Sequence, residues 1–274
     1  MGEESIRKFY NESVAYEWKR LIQDSYHRLE FDTTICFLKK YLPRKGLILD
    51  AGGGPGRYTI ELAKRGYDML LLDLAPANLK FAKKQIRKAK VQDRVKGVME
   101  GSIVDLSKFA DNTFDAVVCL GGPLSHVEGK INRDKALKEL IRVAKKGAPI
   151  FVNVFNRIGI LMGGPKYFAH EIAMTTHFKE FVELGEDYMW RQKYYAHMFM
   201  PDELKRFFSG KNVKVLETVG LEGISSRSKE ELNKLAKNRK AWKNWMYAHY
   251  KWCTHPAVAA TSEHVLVVSR KIKK

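Results

Sequence analysis

Leu47-Ile48-Leu49-Asp50-Ala51-Gly52-Gly53-Gly54-Pro55-Gly56-Arg57-Tyr58 is the stretch that decides the fold. Its opening apolar residues read as a buried strand with an acid at the end, followed by a glycine run and a helix start. Glycine suits such a turn because the chain must reverse sharply and let a ligand approach the backbone with no Cβ in the way. A Gly-rich turn after a strand is weak evidence by itself, since dinucleotide-binding folds use similar turns.

Outward from this turn, short apolar runs alternate with helical-period segments, the pattern of repeated βα units and a parallel sheet. Strands are expected at Gly46 to Asp50, Met69 to Asp73, Val95 to Met99, Phe114 to Leu120 and Pro149 to Phe155. Helices are expected at Tyr58 to Arg65, at Pro76 to Lys90 with proline in the first turn, and from about Arg133 to Lys145. Val213 to Val219 and Val265 to Arg270 are β-rich and suit an edge pair closing the sheet. Asp73 ends the second strand, where an acid can accept both hydroxyls of a ribose. That position supports a nucleoside ligand without choosing between NAD enzymes and methyltransferases.

This partition gives an N-terminal helical segment 1–45, a nucleoside-binding core 46–156 and a Gly/His/Met/aromatic insertion 157–200. A return to the sheet at 201–221, a basic aromatic helical insertion 222–262 and a last strand with a basic tail 263–274 complete it. Both insertions are expected over the carboxyl ends of the strands, where open α/β sheets bind ligands.

The 274 residues are 45% hydrophobic, enough for a substantial core. Cys36, Cys119 and Cys253 show no CxxC or Cys/His spacing, so neither disulfides nor a metal site is expected, and a cytoplasmic location is. No apolar run reaches membrane-span length, so no membrane partner is expected. Against 31 Asp and Glu stand 49 Lys and Arg, a formal charge of +18, which suggests a polyanionic partner.

The ordered set D-A-G-G-G-P-G, LLLDLAP, EGSIVDL and NTFDAVVCLGGPLSHV resembles the motifs of class I S-adenosylmethionine (SAM)-dependent methyltransferases, especially the UbiE-like group, over about residues 45 to 155. The resemblance implies a Rossmann-like α/β fold: a mostly parallel seven-stranded sheet with an antiparallel edge, flanked by helices, with helical and aromatic insertions over the active site. It also implies SAM as cofactor. Gly52, Gly53, Gly54 and Gly56 would line its methionine and ribose, with Asp50 near the amino group and Asp73 on the ribose hydroxyls. Leu74 would pack on adenine, Ser102 and Ile103 would border its edge, and Leu120 would meet the methionyl amine. Tyr10, in Phe9-Tyr10-Asn11, matches an opening-helix tyrosine that touches the methionyl end. Ser102 stands where the family often has Asp.

A SAM methyl group is already activated, so transfer needs mainly positioning and a free lone pair. Gly121, Gly122 and Pro123 follow the fourth strand, where amino-methylating nucleic-acid enzymes carry a proline-rich box, of which one proline matches. His126 is the candidate to deprotonate or position an acceptor. Cys119 lacks the Pro-Cys pair of cytosine C5 chemistry and reads as a small buried residue. In the second insertion Lys237, Arg239, Lys240, Lys243 and Lys251 alternate with aromatics including Trp242, Trp245 and Trp252, a composition that grips looped RNA or forms an amphipathic lid. The leading expectation is therefore methylation of ribosomal or transfer RNA at a base nitrogen. The alternative is a small-molecule methyltransferase acting on a quinone, amine or other metabolite, and a third reading is SAM or RNA binding without turnover.

Overall fold

A computed structural model describes residues 2–190 and 194–272. Its strands are β1 (Leu47–Ala51), β2 (Asp68–Asp73), β3 (Val95–Glu100), β4 (Ala116–Cys119), β5 (Pro149–Phe155), β6 (Glu186–Trp190), β7 (Tyr194–His197), β8 (Val213–Gly220) and β9 (His264–Lys271). Seven of them form one sheet in the order β3-β2-β1-β4-β5-β9-β8. β1 to β5 pair in parallel, whereas β9 runs antiparallel between β5 and β8. The expected edge pair is present, with its reversed strand one place in from the edge.

The central strands read as continuous apolar runs because helices cover both faces of the sheet. β4 and β5 are buried throughout. One face packs Leu49, Val117, Ile150 and Val152 against Leu137 and Leu140 of the helix Lys130–Val143. The other packs Ile48, Leu71, Val118 and Phe151 against Leu62 and Ile86, from the helices Arg57–Lys64 and Pro76–Lys88. The strand order reverses direction between β1 and β4, so the crevice for a ligand opens outside their carboxyl ends.

The two insertions differ from each other in structure. Residues 157–200 contain short helices and the hairpin β6–β7, which the sequence reading did not foresee. This insertion packs Ile160, Phe181 and Met198 against Phe155 at the end of β5. The basic insertion instead folds back on the N-terminal segment: Trp242, Trp245 and Met246 of the helix Arg239–Trp252 pack on Tyr26, Leu29 and Leu232. Trp245 Nε1 donates to Ser225 Oγ at 2.7 Å, and the buried His249 Nε2 lies 2.8 Å from Thr33 Oγ1. Among the described residues no helix is long and apolar enough to cross a membrane.

A buried ionic network ties the helix Ser25–Tyr41 to the start of β9. Arg20 Nη1 reaches Glu30 Oε2 at 2.5 Å, and His264 Nδ1 lies 2.6 Å from Glu222 Oε1. Burial by itself would push the His264 imidazole down, but Glu30 and Glu222 outweigh it and hold His264 above its ordinary value. Burial would raise Glu222, and His264, Ser262 and the His264 backbone N–H together hold it below the usual range. The His264 contribution is thus complete below the unfolded value of about 6.5 and is lost as pH rises through the higher native value. Melting temperatures measured from about pH 6 upward should fall on the alkaline side, and His264→Gln should flatten that slope; an unchanged slope in the variant would remove His264 from the network's energetics.

Candidate functional site

The glycine turn is fastened to the end of β2 by its own backbone. Gly52 and Gly53 both donate N–H to the carbonyl of Leu72, at 2.7 and 3.1 Å. Gly54 N–H donates to Asp73 Oδ2 at 2.8 Å, while Asp73 Oδ1 accepts from Ala75 N–H at 2.9 Å and Asn78 Nδ2 at 3.1 Å. Glycine is required here for two separate reasons. Gly52 has φ +76°, a left-handed conformation, and Gly53 has no room, since an added Cβ would lie 2.5 Å from Asp50 Cγ.

The loop borders a cavity of about 440 Å³ at the carboxyl ends of β1, β2 and β4. Tyr10, Gly52, Gly53, Gly54, Asp73 and Leu74 line it, as do Ser102, Ile103, Leu120, Gly121, Pro123 and His126. Most of the residues assigned to a cofactor from the sequence therefore converge on one space. Asn78 also lines it, and its buried Oδ1 has no hydrogen-bond partner among the described residues, leaving an acceptor beside the Asp73 carboxylate. The Asp73 carboxylate at the end of β2 is an acceptor that matches the needs of a ribose diol.

Three sequence-based candidates lie outside the cavity lining. Asp50 is fully buried beneath the loop and outside the cavity lining, where it accepts from Thr59 Oγ1 at 2.6 Å. Burial pushes its carboxyl up to about 6, and its Oδ1 has no hydrogen-bond partner among the described residues. Gly56 caps the helix Arg57–Lys64 and faces Ala82, and Gly122 faces the ring of Phe155. Neither lines the cavity, because each is spent on a close approach of backbone to core. Cys119 is buried with its thiol pushed up to about 12, which suits a packing residue.

The sequence reading missed the contribution of the N-terminal segment beyond Tyr10. Ile6, Arg7, Glu17 and Arg20 also line the cavity. Their spacing on two short helices looks like surface amphipathy, and no motif marks them. Lys237, Arg239, Lys240, Lys243 and Lys251 are exposed, and neither they nor the half-buried Trp242 border this cavity or the next.

A second cavity of about 550 Å³ lies under the 157–200 insertion. The two spaces share Tyr10, Glu17, Arg20 and Gly121 as common lining, so they meet at these four residues. Tyr10 is braced there: its hydroxyl is 3.0 Å from His126 Nε2, and His126 Nδ1 is 3.2 Å from the Tyr195 carbonyl. A carbonyl can only accept, which assigns the ring proton to Nδ1 and leaves Nε2 to accept from the Tyr10 hydroxyl. Glu171 and Asp187 line the second cavity, and together with His177 they bring potential ligand atoms within 4.8 Å of one another.

Overpacking at the loop gives a direct check on this geometry. Gly53→Ala must displace Leu71 or Asp50 and should cost about 1–3 kcal/mol in urea denaturation, whereas Gly66→Ala, next to open space, carries only the strain of its positive φ. Equal stability of Gly53→Ala and the native chain would contradict the packing described.

Comparison with known proteins agrees with the fold. A family model described as a methyltransferase domain matches residues 48–147. Glycine/sarcosine N-methyltransferase of Parasynechococcus marenigrum is 30% identical over 156 residues, 57% of this chain and 54% of that protein. A ubiquinone biosynthesis O-methyltransferase of Xanthomonas campestris pv. campestris is 29% identical over 52% of this chain and 59% of its own length. The chain thus spans little more than half the length of these curated relatives. A solved SAM-dependent methyltransferase from Methanosarcina mazei superposes with a TM-score of 0.58 at 18% identity, covering 87% of this chain and 98% of that one, which is a likeness of fold. Motif order, strand order and family match coincide on the same residues, and residues 48–147 therefore form a methyltransferase domain within a Rossmann-like fold.

Proposed function

We propose that this protein transfers a methyl group from SAM to a small molecule held in the second cavity. The observation that carries this reading is the junction of the two cavities at Tyr10, Glu17, Arg20 and Gly121. Asp73 and Asn78 would hold the ribose, the Gly52–Gly54 backbone the rest of the nucleoside, and Leu74 and Ile103 its base. Bound there, SAM supplies a methyl group already activated on a sulfonium sulfur. The chain's own residues bind and orient: Tyr10 stands between the two spaces, His126 fixes its hydroxyl, and described residues of the 157–200 insertion wall the acceptor side. His126 is on this reading a positioning residue, since both ring nitrogens have partners.

RNA, the leading expectation from charge, loses ground to the small-molecule alternative. Trp242 and Trp245 are engaged in packing against Tyr26 and Leu29, and the exposed lysines lie off both cavities. The buried carboxylates Glu171 and Asp187 on the second cavity would repel a phosphodiester. The two curated relatives above are named for glycine/sarcosine and for ubiquinone biosynthesis.

Three measurements follow. Radiolabel from SAM, offered to a small-molecule extract and to total RNA in parallel, should appear in the extract; label confined to RNA would overturn the reading. Asp73→Asn replaces a charged acceptor by a neutral amide and should weaken SAM binding about tenfold to a hundredfold by calorimetry. His126→Asn removes one partner of the Tyr10 hydroxyl and should lower kcat by about tenfold with SAM affinity nearly unchanged; a loss confined to SAM affinity would make His126 part of the cofactor site instead.

A further inference from the structure

Methyl transfer to an oxygen or nitrogen that carries hydrogen leaves a proton to be taken away. His126 is not free for that task, since Nδ1 donates to the Tyr195 carbonyl and Nε2 accepts from Tyr10. Two other histidines, His170 and His264, line the second cavity. His170 belongs to the insertion, is exposed and faces Glu171 at 3.4 Å. His264 opens β9 and is held from behind.

The hold comes from Glu222, which is buried. Glu222 Oε2 accepts from Ser262 Oγ at 2.8 Å and from the His264 backbone N–H at 3.0 Å, and Oε1 lies 2.6 Å from His264 Nδ1. An ionised carboxylate can only accept, which assigns the proton between them to Nδ1. Nε2 is then the nitrogen at which His264 gains and loses a proton, and no described residue pairs with it. A buried carboxylate behind an imidazole fixes both its tautomer and its orientation. The His264 side chain keeps 17% of its surface exposed against 4% for Glu222, and the space that His264 lines is the second cavity.

The ring lies one aromatic away from the junction of the two cavities. Its centroid is 5.3 Å from that of Phe155, which abuts Gly122, the neighbour of the shared lining residue Gly121. Around His264, among the described residues, stand Glu30 and Tyr26 of the helix Ser25–Tyr41, Arg20 of the helix Val14–Arg20, Glu222, and the pair Glu263–Arg227 beside it in the chain. Burial pushes the imidazole down, Glu30 and Glu222 push it up and Arg20 opposes them; the balance lies at about 9. The neutral form, which can take a proton, therefore grows with pH up to that value.

We propose that His264, braced by Glu222, takes the proton of the acceptor during methyl transfer. This rests on the reading of the second cavity as the acceptor site. The acceptor's oxygen or nitrogen forms the new bond to the methyl carbon, and the S–CH3 bond breaks with its electron pair returning to sulfur. The acceptor's hydrogen passes to Nε2 as a proton. S-adenosylhomocysteine, methylated product and imidazolium balance the step, and the imidazolium then yields its proton to water. The acceptor class is accordingly one that bears O–H or N–H: an alcohol, a phenol or an amine.

Initial rates of label transfer from SAM to the small-molecule extract, measured with the full-length chain from about pH 6 to about pH 10, test the assignment. The native rate should climb at least about tenfold between about pH 6.5 and about pH 8.5 and level off near 9. His264→Gln should lower the rate at about pH 8.5 by about a hundredfold or more and abolish the climb. Glu222→Gln keeps the imidazole but removes the charge behind it, so its climb should move to lower pH. A native rate that is flat or falls with pH overturns the proposal, and so does a His264→Gln chain that loses rate equally at every pH and keeps the native climb, the mark of a merely structural role. If His264→Gln does not fold, the Glu222→Gln profile decides: an undisplaced climb overturns the proposal. Calorimetric binding of S-adenosylhomocysteine to each chain separates the two levels. Label in the extract without a climb that depends on His264 or Glu222 defeats only this inference, whereas no label in the extract despite S-adenosylhomocysteine binding defeats the functional reading beneath it.

Discussion

The carbonyl of Leu72 and the carboxylate of Asp73 hold the glycine turn of the neighbouring strand, and the site depends on that attachment. Three successive loop amides, Gly52, Gly53 and Gly54, donate to the end of β2. They do so because parallel pairing sets β1 and β2 in register, with Ala51 opposite Leu72. A loop pinned this way leaves its far side as open backbone, and the cavity forms against it. Asp73 works twice, since the same carboxylate that orders the loop also faces the cavity. Asp50 works once, from below, braced by Thr59 and excluded from water.

Electrostatics separates the surface of this protein from its interior. The excess of lysine and arginine lies largely on solvated faces, where single charges are screened within about 10 Å. Around the second cavity the acids Glu171 and Asp187 are instead buried, both facing His177. Net charge therefore describes what the surface attracts and says little about what the enclosed site accepts. This is the physical reason that reading the acceptor from the formal charge pointed toward RNA, while the cavity walls point toward a small molecule.

The sheet was largely legible in the sequence because its central strands are buried on both faces and read as unbroken apolar runs. The cofactor side was legible for a related reason: a glycine run after a strand and an acid at the next strand's end are local features with few alternatives. The burial of Asp50 was not legible because a strand-end acid looks the same in sequence whether its side chain points into a cavity or under a loop. Glu17 and Arg20 were invisible, since their roles come from the docking of a short helix 30 residues upstream of the loop. The β6–β7 hairpin and the carboxylates Glu171 and Asp187 belong to an insertion with no strong periodicity. Their convergence is a product of tertiary packing, and no spacing rule reports it. The tryptophans of the basic insertion had two physical uses open to them, stacking or packing, and burial against Tyr26 and Leu29 decided between them for Trp242 and Trp245.

The central claim is that the glycine-lined cavity holds the cofactor with its ribose on Asp73 and its reactive end toward Tyr10. A crystal structure of the full chain with S-adenosylhomocysteine tests it most directly. The account predicts both ribose hydroxyls within hydrogen-bond distance of the Asp73 carboxylate and the thioether sulfur on the Tyr10 side, facing the second cavity. A nucleoside bound elsewhere, or a sulfur turned away from Tyr10 and closed off from the second cavity, would contradict it.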